Sequence, residues 1–153
     1  MASPDTSPYF TGFTNGPGLS SVGSYQIAGT PWLSSSTLPA GGVLEVRLPA
    51  VSKRIVIYNN EQATPSTSLA VSFRNPNDTG VATLGHTFVL SDQISKAAAP
   101  GLVNHLDMEI KCSSFWITNM NGAATLDWQG YAELTGIAPN QMFELSGTGI
   151  NDV

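Results

Sequence analysis

The chain has 153 residues, enough for one domain with a hydrophobic core. Only 11% of its residues are charged, against roughly 25% in ordinary soluble proteins, and the net charge is −5. The six Lys and Arg residues are dispersed along the chain, with only Lys53 and Arg54 adjacent, so the basic patch needed to bind nucleic acid directly is missing. The low charge favours a surface partly covered by other subunits over a monomer whose surface is rich in Ser, Thr, Asn and Gln.

The chain carries no recognisable targeting or membrane signal. The N-terminus lacks the basic and apolar regions of a secretory signal, and no run approaches the roughly twenty apolar residues that span a bilayer. We therefore expect no membrane association. The single Cys112 excludes an intrachain disulfide, and its position on the apolar phase of a predicted strand predicts a buried, inert thiol.

Residues 6–44 contain no charged residue and no histidine. The segment is rich in Gly, Ser, Thr and Pro, yet aromatic residues are spaced through it: Tyr9, Phe10, Phe13, Tyr25 and Trp32. Disordered linkers usually lack aromatic rings, and such rings require apolar contacts. The pattern predicts that residues 1–42 form an extended N-terminal arm lying on protein, with a flexible tail as the alternative.

Apolar and polar residues alternate through the middle of the chain, as they do in β-strands. Strands are predicted over residues 43–48, 55–58, 69–73, 86–90, 106–112, 115–118 and 124–134. No segment has a sustained helical period, although residues 91–101 can form one helical turn before Pro100. The prediction is an all-β fold, an antiparallel β-sandwich over residues 43–135. A single jelly roll of about eight strands fits better than an immunoglobulin-type sandwich, which would have a cysteine pair.

Residues 136–153 have no helical period, no strand alternation and no charge run. They nevertheless carry five large apolar residues: Ile137, Met142, Phe143, Leu145 and Ile150. Such side chains would be exposed on an isolated domain and would need a partner. The pattern favours an extended C-terminal arm that crosses to a neighbouring subunit over a strap that folds back on its own domain.

Candidate catalytic and metal-binding residues do not converge in the sequence. His86 and His105 are nineteen residues apart with no H-x-H motif, which argues against a cupin-like metal site. A glycosidase would need two facing carboxylates roughly 5–9 Å apart, but the acidic residues of the strands alternate with apolar ones as solvated carboxylates do: Glu45, Glu109, Asp127 and Glu133. We predict a protein that is not an enzyme, with no catalytic residue, cofactor or metal.

Carbohydrate binding is the alternative function from a different class. Trp116 is out of phase with its apolar neighbours, and Tyr131 shares the polar face of the last strand, so both rings are candidate platforms for a sugar. The same rings can instead contact a neighbouring subunit. Trp128 is in phase with Leu126 and Leu134 and is predicted to lie in the core.

Short motifs in four places carry a resemblance to a known family. They are SPYFTGF (7–13), RIVIYNN (54–60), LDMEIKCSSFWITN (106–119) and ELTGIAPNQMFELSGTGI (133–150). The chain resembles the small single jelly-roll structural proteins of double-stranded DNA viruses, which include capsid decoration (cement) proteins and vertex (penton) proteins. The resemblance implies a non-enzymatic virion protein that oligomerises, binds the major capsid protein and stabilises the capsid shell.

The two arms hold the residues predicted to contact other subunits or the capsid: Phe10, Phe13, Trp32, Met142, Phe143, Leu145 and Ile150. A homotrimer would let each arm clasp the next copy around a closed ring, and a vertex protein would be a pentamer. The acidic balance favours the outer surface of the shell, away from packaged DNA.

Overall fold

The computed structural model describes residues 31–62, 67–77, 87–99 and 101–142. The strands are β1 (Trp32–Leu38), β2 (Val43–Arg47), β3 (Ser52–Asn59), β4 (Leu69–Ser72), β5 (Thr87–Leu90), β6 (His105–Met108), β7 (Ser114–Asn119) and β8 (Leu126–Leu134). A short helix, α1 (Gln93–Ala98), lies between β5 and β6, and a 3₁₀ turn (Pro139–Gln141) follows β8.

The eight strands form two antiparallel sheets, with the orders β1-β8-β3-β6 and β2-β7-β4-β5. We call them the 1-8-3-6 sheet and the 2-7-4-5 sheet. Among the strands of the described residues, β1 pairs with β8, β2 with β7, β3 with β6, and β4 with β5. Every connection between consecutive strands crosses to the other sheet, except the one from β4 to β5. The predicted all-β antiparallel sandwich is confirmed.

The hydrophobic core lies between the sheets and is built from alternate residues of each strand. In β7, Phe115 and Ile117 face inward while Trp116 faces outward. In β8, Trp128 is only 2% exposed, which confirms its predicted place in the core. Each large side chain buried in this way contributes on the order of 1.5–3 kcal/mol.

The sandwich begins earlier than the sequence predicts. Strand β1 lies within the predicted arm and pairs along β8 from Trp32, opposite Ala132, to Leu38, opposite Leu126. A tight turn follows, in which Gly41 has a φ of 63° and its N–H donates to Asn121 C=O at 2.8 Å. The predicted boundary between arm and sandwich at residue 42 is therefore wrong, because residues 32–38 belong to the 1-8-3-6 sheet.

The predicted strand over residues 106–112 is correct only in its first part. Strand β6 ends at Met108, opposite Ile55, and the register between β3 and β8 shifts between Ser52 and Arg54. Beyond that point the Ser52 hydroxyl donates to Ile110 C=O at 2.7 Å and accepts from the Cys112 N–H at 3.0 Å. A side-chain hydroxyl thus replaces part of the strand ladder while the chain crosses to the other sheet.

The domain also extends past its predicted end at residue 135. The Thr135 N–H and hydroxyl both donate to Val51 C=O, at 2.8 and 2.7 Å, and the Val51 N–H donates to Ile137 C=O at 2.9 Å. The Ile137 side chain is fully buried. The predicted C-terminal arm spans residues 136–153, and its first residues therefore fold back on their own domain.

Candidate functional site

Two of the seven predicted contact residues fall in the described part of the chain. Trp32 is half-buried in β1, packs against the core, and meets Phe115 edge-on with ring centroids 6.4 Å apart. Met142 is half-buried just after the 3₁₀ turn. The other five lie outside the described residues: Phe10, Phe13, Phe143, Leu145 and Ile150. Trp32 thus has a place in its own domain, and contact with another chain stays a prediction.

The two rings suggested as a sugar platform do not come together. Trp116 lies on the outer face of β7, opposite Glu45 of β2. Tyr131 lies on the outer face of β8, opposite Leu33 of β1 and Val56 of β3. The strands β7 and β8 belong to different sheets, so the whole core separates the two rings. A single small ligand cannot stack on both.

A groove of about 470 Å³ lies on the outer face of the 1-8-3-6 sheet. We call it the outer groove, and its lining residues are Leu33, Ser34, Ser35, Tyr58, Gln129, Gly130 and Tyr131. All of them are uncharged. Its most accessible apolar groups are Leu33, which is 72% exposed, and Tyr58, which is 41% exposed.

The strand register sets the layout of the outer groove. Leu33 lies opposite Tyr131, and two residues further along, on the same face of the sheet, Ser35 lies opposite Gln129. Gln129 in turn lies opposite Tyr58. The two tyrosines are therefore diagonal neighbours on adjacent strands, roughly 7–8 Å apart at the backbone, with an amide and an aliphatic side chain completing the surface between β1 and β3.

Ion pairs hold one end of the outer groove in place. The Arg54 guanidinium donates to Asp107 through Nε at 2.7 Å and Nη2 at 2.5 Å, and its Nη1 lies 3.7 Å from Glu133 Oε1. The hydrogen bonds from Arg54 hold the pKa of Asp107 below its usual value. The Tyr131 hydroxyl donates to Glu133 at 3.1 Å. Asp107 and Glu133 thus hold the side chains of Arg54 and Tyr131 in place at this end of the groove.

The Tyr131 phenol stays protonated in this setting. Burial of the hydroxyl raises its pKa, and the hydrogen bond to Glu133 and the charge of that carboxylate raise it further. A neutral phenol that donates to Glu133 keeps its ring fixed beside the groove.

A second aromatic contact orients Tyr58. Its ring stacks on His105 of β6, with centroids 5.5 Å apart and an interplanar angle of 22°. His105 covers one face of the tyrosine, and Tyr58 lines the outer groove on the side of Gln129.

His86 lies outside the described residues, and within those residues no group of three His, Cys, Asp or Glu could hold a metal ion.

A second candidate surface is apolar and lies at the edge of the sandwich formed by β5 and β6, away from β1 and β2. It comprises Phe88, Val89, Ile94, Leu102 and Val103, each between 40% and 53% exposed. We call it the β5–β6 surface, because these residues lie on β5, on α1 and in the loop that leads to β6. The Ser91 N–H donates to Val103 C=O at 2.8 Å, which ties that loop to the end of β5.

Sequence reasoning missed the β5–β6 surface, although a signal was present. Phe88 and Val89 are adjacent in a strand and so point to opposite faces, and only one of these faces meets the core. Strand β5 is the terminal strand of the 2-7-4-5 sheet among the described residues. Consecutive large apolar residues in an edge strand, followed by the apolar pair Leu102 and Val103, predict an additional contact surface.

Buried polar residues form a network that holds the loops of the sandwich. The Asn59 amide donates to Thr67 C=O at 2.9 Å and Leu90 C=O at 3.1 Å. The Asp92 carboxylate caps α1, accepting from the Ser95 N–H at 2.7 Å and the Thr67 N–H at 3.2 Å. These bonds connect β3, the loop before β4, and α1, so the network has a structural role.

Cys112 lies in the interior as predicted. Its side chain is buried, and its Sγ is 3.3 Å from the Ser52 hydroxyl. Burial raises the pKa of the thiol, which keeps it in the less nucleophilic protonated form.

In comparisons with known proteins, no family model, no curated protein and no solved structure matches the chain. None of the helices described in the structure is long and apolar enough to cross a membrane. The fold defines the class of protein: an eight-stranded antiparallel β-sandwich. It presents two candidate binding surfaces, the uncharged outer groove and the apolar β5–β6 surface.

Proposed function

We propose that this protein is a non-enzymatic structural subunit of a virion, a capsid decoration or cement protein that oligomerises and binds the major capsid protein. In this proposal the sandwich is a single jelly roll. The strand pairing supports a jelly roll: β1 pairs with β8, β2 with β7, β3 with β6, and β4 with β5. This pairing results when a long antiparallel hairpin is folded over into two sheets.

The observation that carries the proposal is the β5–β6 surface. Five large apolar side chains, on β5, on α1 and in the loop before β6, are each 40–53% exposed, and several exposed apolar residues in one region are a feature of interaction surfaces. The proposed occupant is a second copy of this chain. Because each side chain is already about half buried, its complete burial in the contact would contribute about 0.7–1.5 kcal/mol before the costs of association.

The charge distribution supports a contact between like copies. Only 11% of the whole chain is charged, and β5 itself, Thr87–Leu90, has no charged residue. Natural edge strands usually avoid pairing by carrying a charge or a proline, and this strand has neither. The edge therefore fits an assembly in which a neighbouring subunit covers it.

The proposed location is the outer surface of the capsid shell, with a homotrimer as the proposed assembly. The net charge of −5 supports the outer position, because it disfavours contact with packaged DNA. A pentamer in solution would instead favour a vertex position for the same class of protein.

Light scattering coupled to size-exclusion chromatography tests the oligomer. The full chain is expected to be a homo-oligomer, and the double variant Val89→Asp/Val103→Asp is expected to be a monomer, because each aspartate places a charge in the apolar contact. The matched control is Leu33→Arg, at a more exposed apolar site on the other sheet, which is expected to keep the assembly intact. A wild-type monomer, or a double variant that still assembles, would contradict the proposed interface.

Binding to shells tests the role in the virion. Shells assembled from the major capsid protein encoded in the same genome are mixed with the full chain and sedimented. Co-sedimentation at a fixed ratio and a higher shell disruption temperature are the expected results. Oligomers that neither sediment with the shells nor change their stability would refute the capsid role while leaving the oligomer interface in place.

A further inference from the structure

We propose that the outer groove is a binding site for a neutral glycan of mono- to disaccharide size. This site is separate from the proposed subunit interface, and its occupation does not depend on assembly. Three features of the groove suit such a ligand: its lining chemistry, the fixed positions of its two tyrosines, and its acidic flanks.

The lining of the outer groove matches the chemistry of a sugar. A pyranose presents a weakly apolar C–H face and a rim of hydroxyl groups, so its sites combine aromatic rings with neutral hydrogen-bonding groups. Tyr58 and Tyr131 supply the rings, while Gln129 and Ser35 supply an amide and a hydroxyl directly opposite each other in the register. A volume of about 470 Å³ falls within the range of small-molecule sites.

The two tyrosines are held before any ligand arrives. Tyr58 stacks on His105, and the Tyr131 hydroxyl donates to Glu133, which lies beside Arg54. Side chains already held by the protein lose less conformational freedom when a ligand binds. A shallow open groove can therefore bind a small ligand without first ordering its walls.

Charge around the outer groove selects against acidic ligands. Asp107 and Glu133 lie near the end at Tyr131, and the exposed Asp127 follows along β8 beyond Gln129. Arg54, the cation in this group, is engaged by two carboxylates. A sialylated or sulfated glycan would meet like charge, so the site is specific for neutral sugars.

The position of the groove keeps it available in the proposed oligomer. The groove spans β1, β8 and β3 of one sheet, whereas β5 is the opposite edge of the other sheet and lies against β6. The β5–β6 surface can thus contact a second copy while the outer groove stays open to solvent.

A glycan array with the full chain, followed by titration of the best neutral disaccharide by calorimetry, tests the inference. We expect binding to neutral glycans and none to their sialylated counterparts. Tyr58→Ala is expected to weaken binding at least about tenfold, equivalent to the roughly 1.4 kcal/mol expected of one lost ring contact. Trp116→Ala is the matched control, since its ring lies on the other sheet, and it should bind as the wild type does.

A second variant distinguishes loss of binding from loss of folding. Leu33→Arg changes a side chain that is 72% exposed, so the fold should survive while the longer side chain fills the groove and blocks binding. Absence of any neutral glycan ligand at millimolar concentration, or equal losses in Tyr58→Ala and Trp116→Ala, would overturn the proposal. Dissociation of the oligomer by Leu33→Arg would show that a second copy occupies the groove, which would also overturn it.

Discussion

Trp32 meets Phe115 edge-on, with ring centroids 6.4 Å apart and ring planes at 89°, and the contact joins β1 of one sheet to β7 of the other. The contact explains why a segment without charges or clear alternation is still part of the domain. An edge-to-face pair contributes about 0.5–1.5 kcal/mol in addition to the apolar area that it buries.

Replacing Trp32 by alanine tests whether this residue belongs to the core. Because the side chain is only half-buried, we expect the free energy of unfolding to fall by about 2–3 kcal/mol, less than for a fully buried Trp. Urea unfolding followed by circular dichroism measures the change, and Leu33→Ala, one residue along, should change it by less than about 0.5 kcal/mol. A Trp32→Ala variant of unchanged stability that fails to assemble would instead support the original prediction of an intersubunit contact.

Gly130 provides the space for two tryptophan rings. A Cβ at this position would lie 2.8 Å from Trp128 Cζ3 and 3.2 Å from Trp32 Cζ3, both on rigid indole rings. We expect Gly130→Ala to lower the free energy of unfolding by about 1–3 kcal/mol through overpacking. In the control variant Gly136→Ala the new Cβ meets nothing within 4 Å, so thermal unfolding should be nearly unchanged. Equal effects of the two substitutions would contradict the packing argument.

The Asp92 carboxylate is expected to make stability depend on pH. Its burial acts to raise the pKa, but hydrogen bonds from Ser95 and Thr67 outweigh burial and lower the pKa below its ordinary value. The folded state therefore binds this proton less readily than the unfolded chain, so the stabilisation is complete above about pH 4 and is lost as the pH falls through the folded pKa.

Asp92→Asn measures this contribution. We expect the variant to be less stable than the wild type by about 1–2 kcal/mol at pH 7, with the gap narrowing at pH 3. Urea unfolding at the two pH values gives the difference, and Glu109→Gln at an exposed site should leave stability nearly unchanged at both. A gap that stays constant or widens on acidification would exclude the assigned role.

Ile137 tests whether the chain after β8 folds back on its own domain. Its side chain is fully buried, and its carbonyl accepts from Val51. Ile137→Ala should lower the free energy of unfolding by about 2–4 kcal/mol by leaving a cavity, whereas Asn140→Ala, at an exposed position, should have little effect. If Ile137→Ala impaired only the oligomer, the residue would belong to an intersubunit contact instead.

Strand assignment from the sequence succeeded where one sheet face is buried and the other is solvated. Strand β8 alternates between buried residues and exposed or half-buried ones over its whole length, and β7 alternates between half-buried and buried residues. Strand β1 was missed because its sequence, WLSSSTL, places serines on both faces of an edge strand. The sequence predicts residues 106–112 as one strand because apolar residues alternate over the whole segment. The strand ends at Met108, but Ile110 and Cys112 still point toward the core beyond it, so the alternation continues where the hydrogen-bond ladder has ended.

The outer groove was out of reach of sequence reasoning for a different reason. Tyr58 ends an apolar run that predicts burial on both faces, and Ile55, Val56 and Ile57 are indeed buried, yet Tyr58 is 41% exposed. Its neighbours in the groove come from β1 and β8, which are distant in the chain. Gln129 lies opposite Tyr58 only because β8 pairs with β3, and no hairpin turn joins these two strands to fix their register.

The pairing of the first strand with the last has a consequence for synthesis on the ribosome. Strand β8 lies between β1 and β3, so the sheet that contains all three stays incomplete until residue 134 has emerged from the exit tunnel. Until then β1 and β3 have no strand between them, and the nascent chain exposes unpaired backbone and the apolar faces of both strands. Closure by contacts between the two ends of the domain makes folding slow, and crowded polysomes would favour exchange of β8 between neighbouring nascent chains.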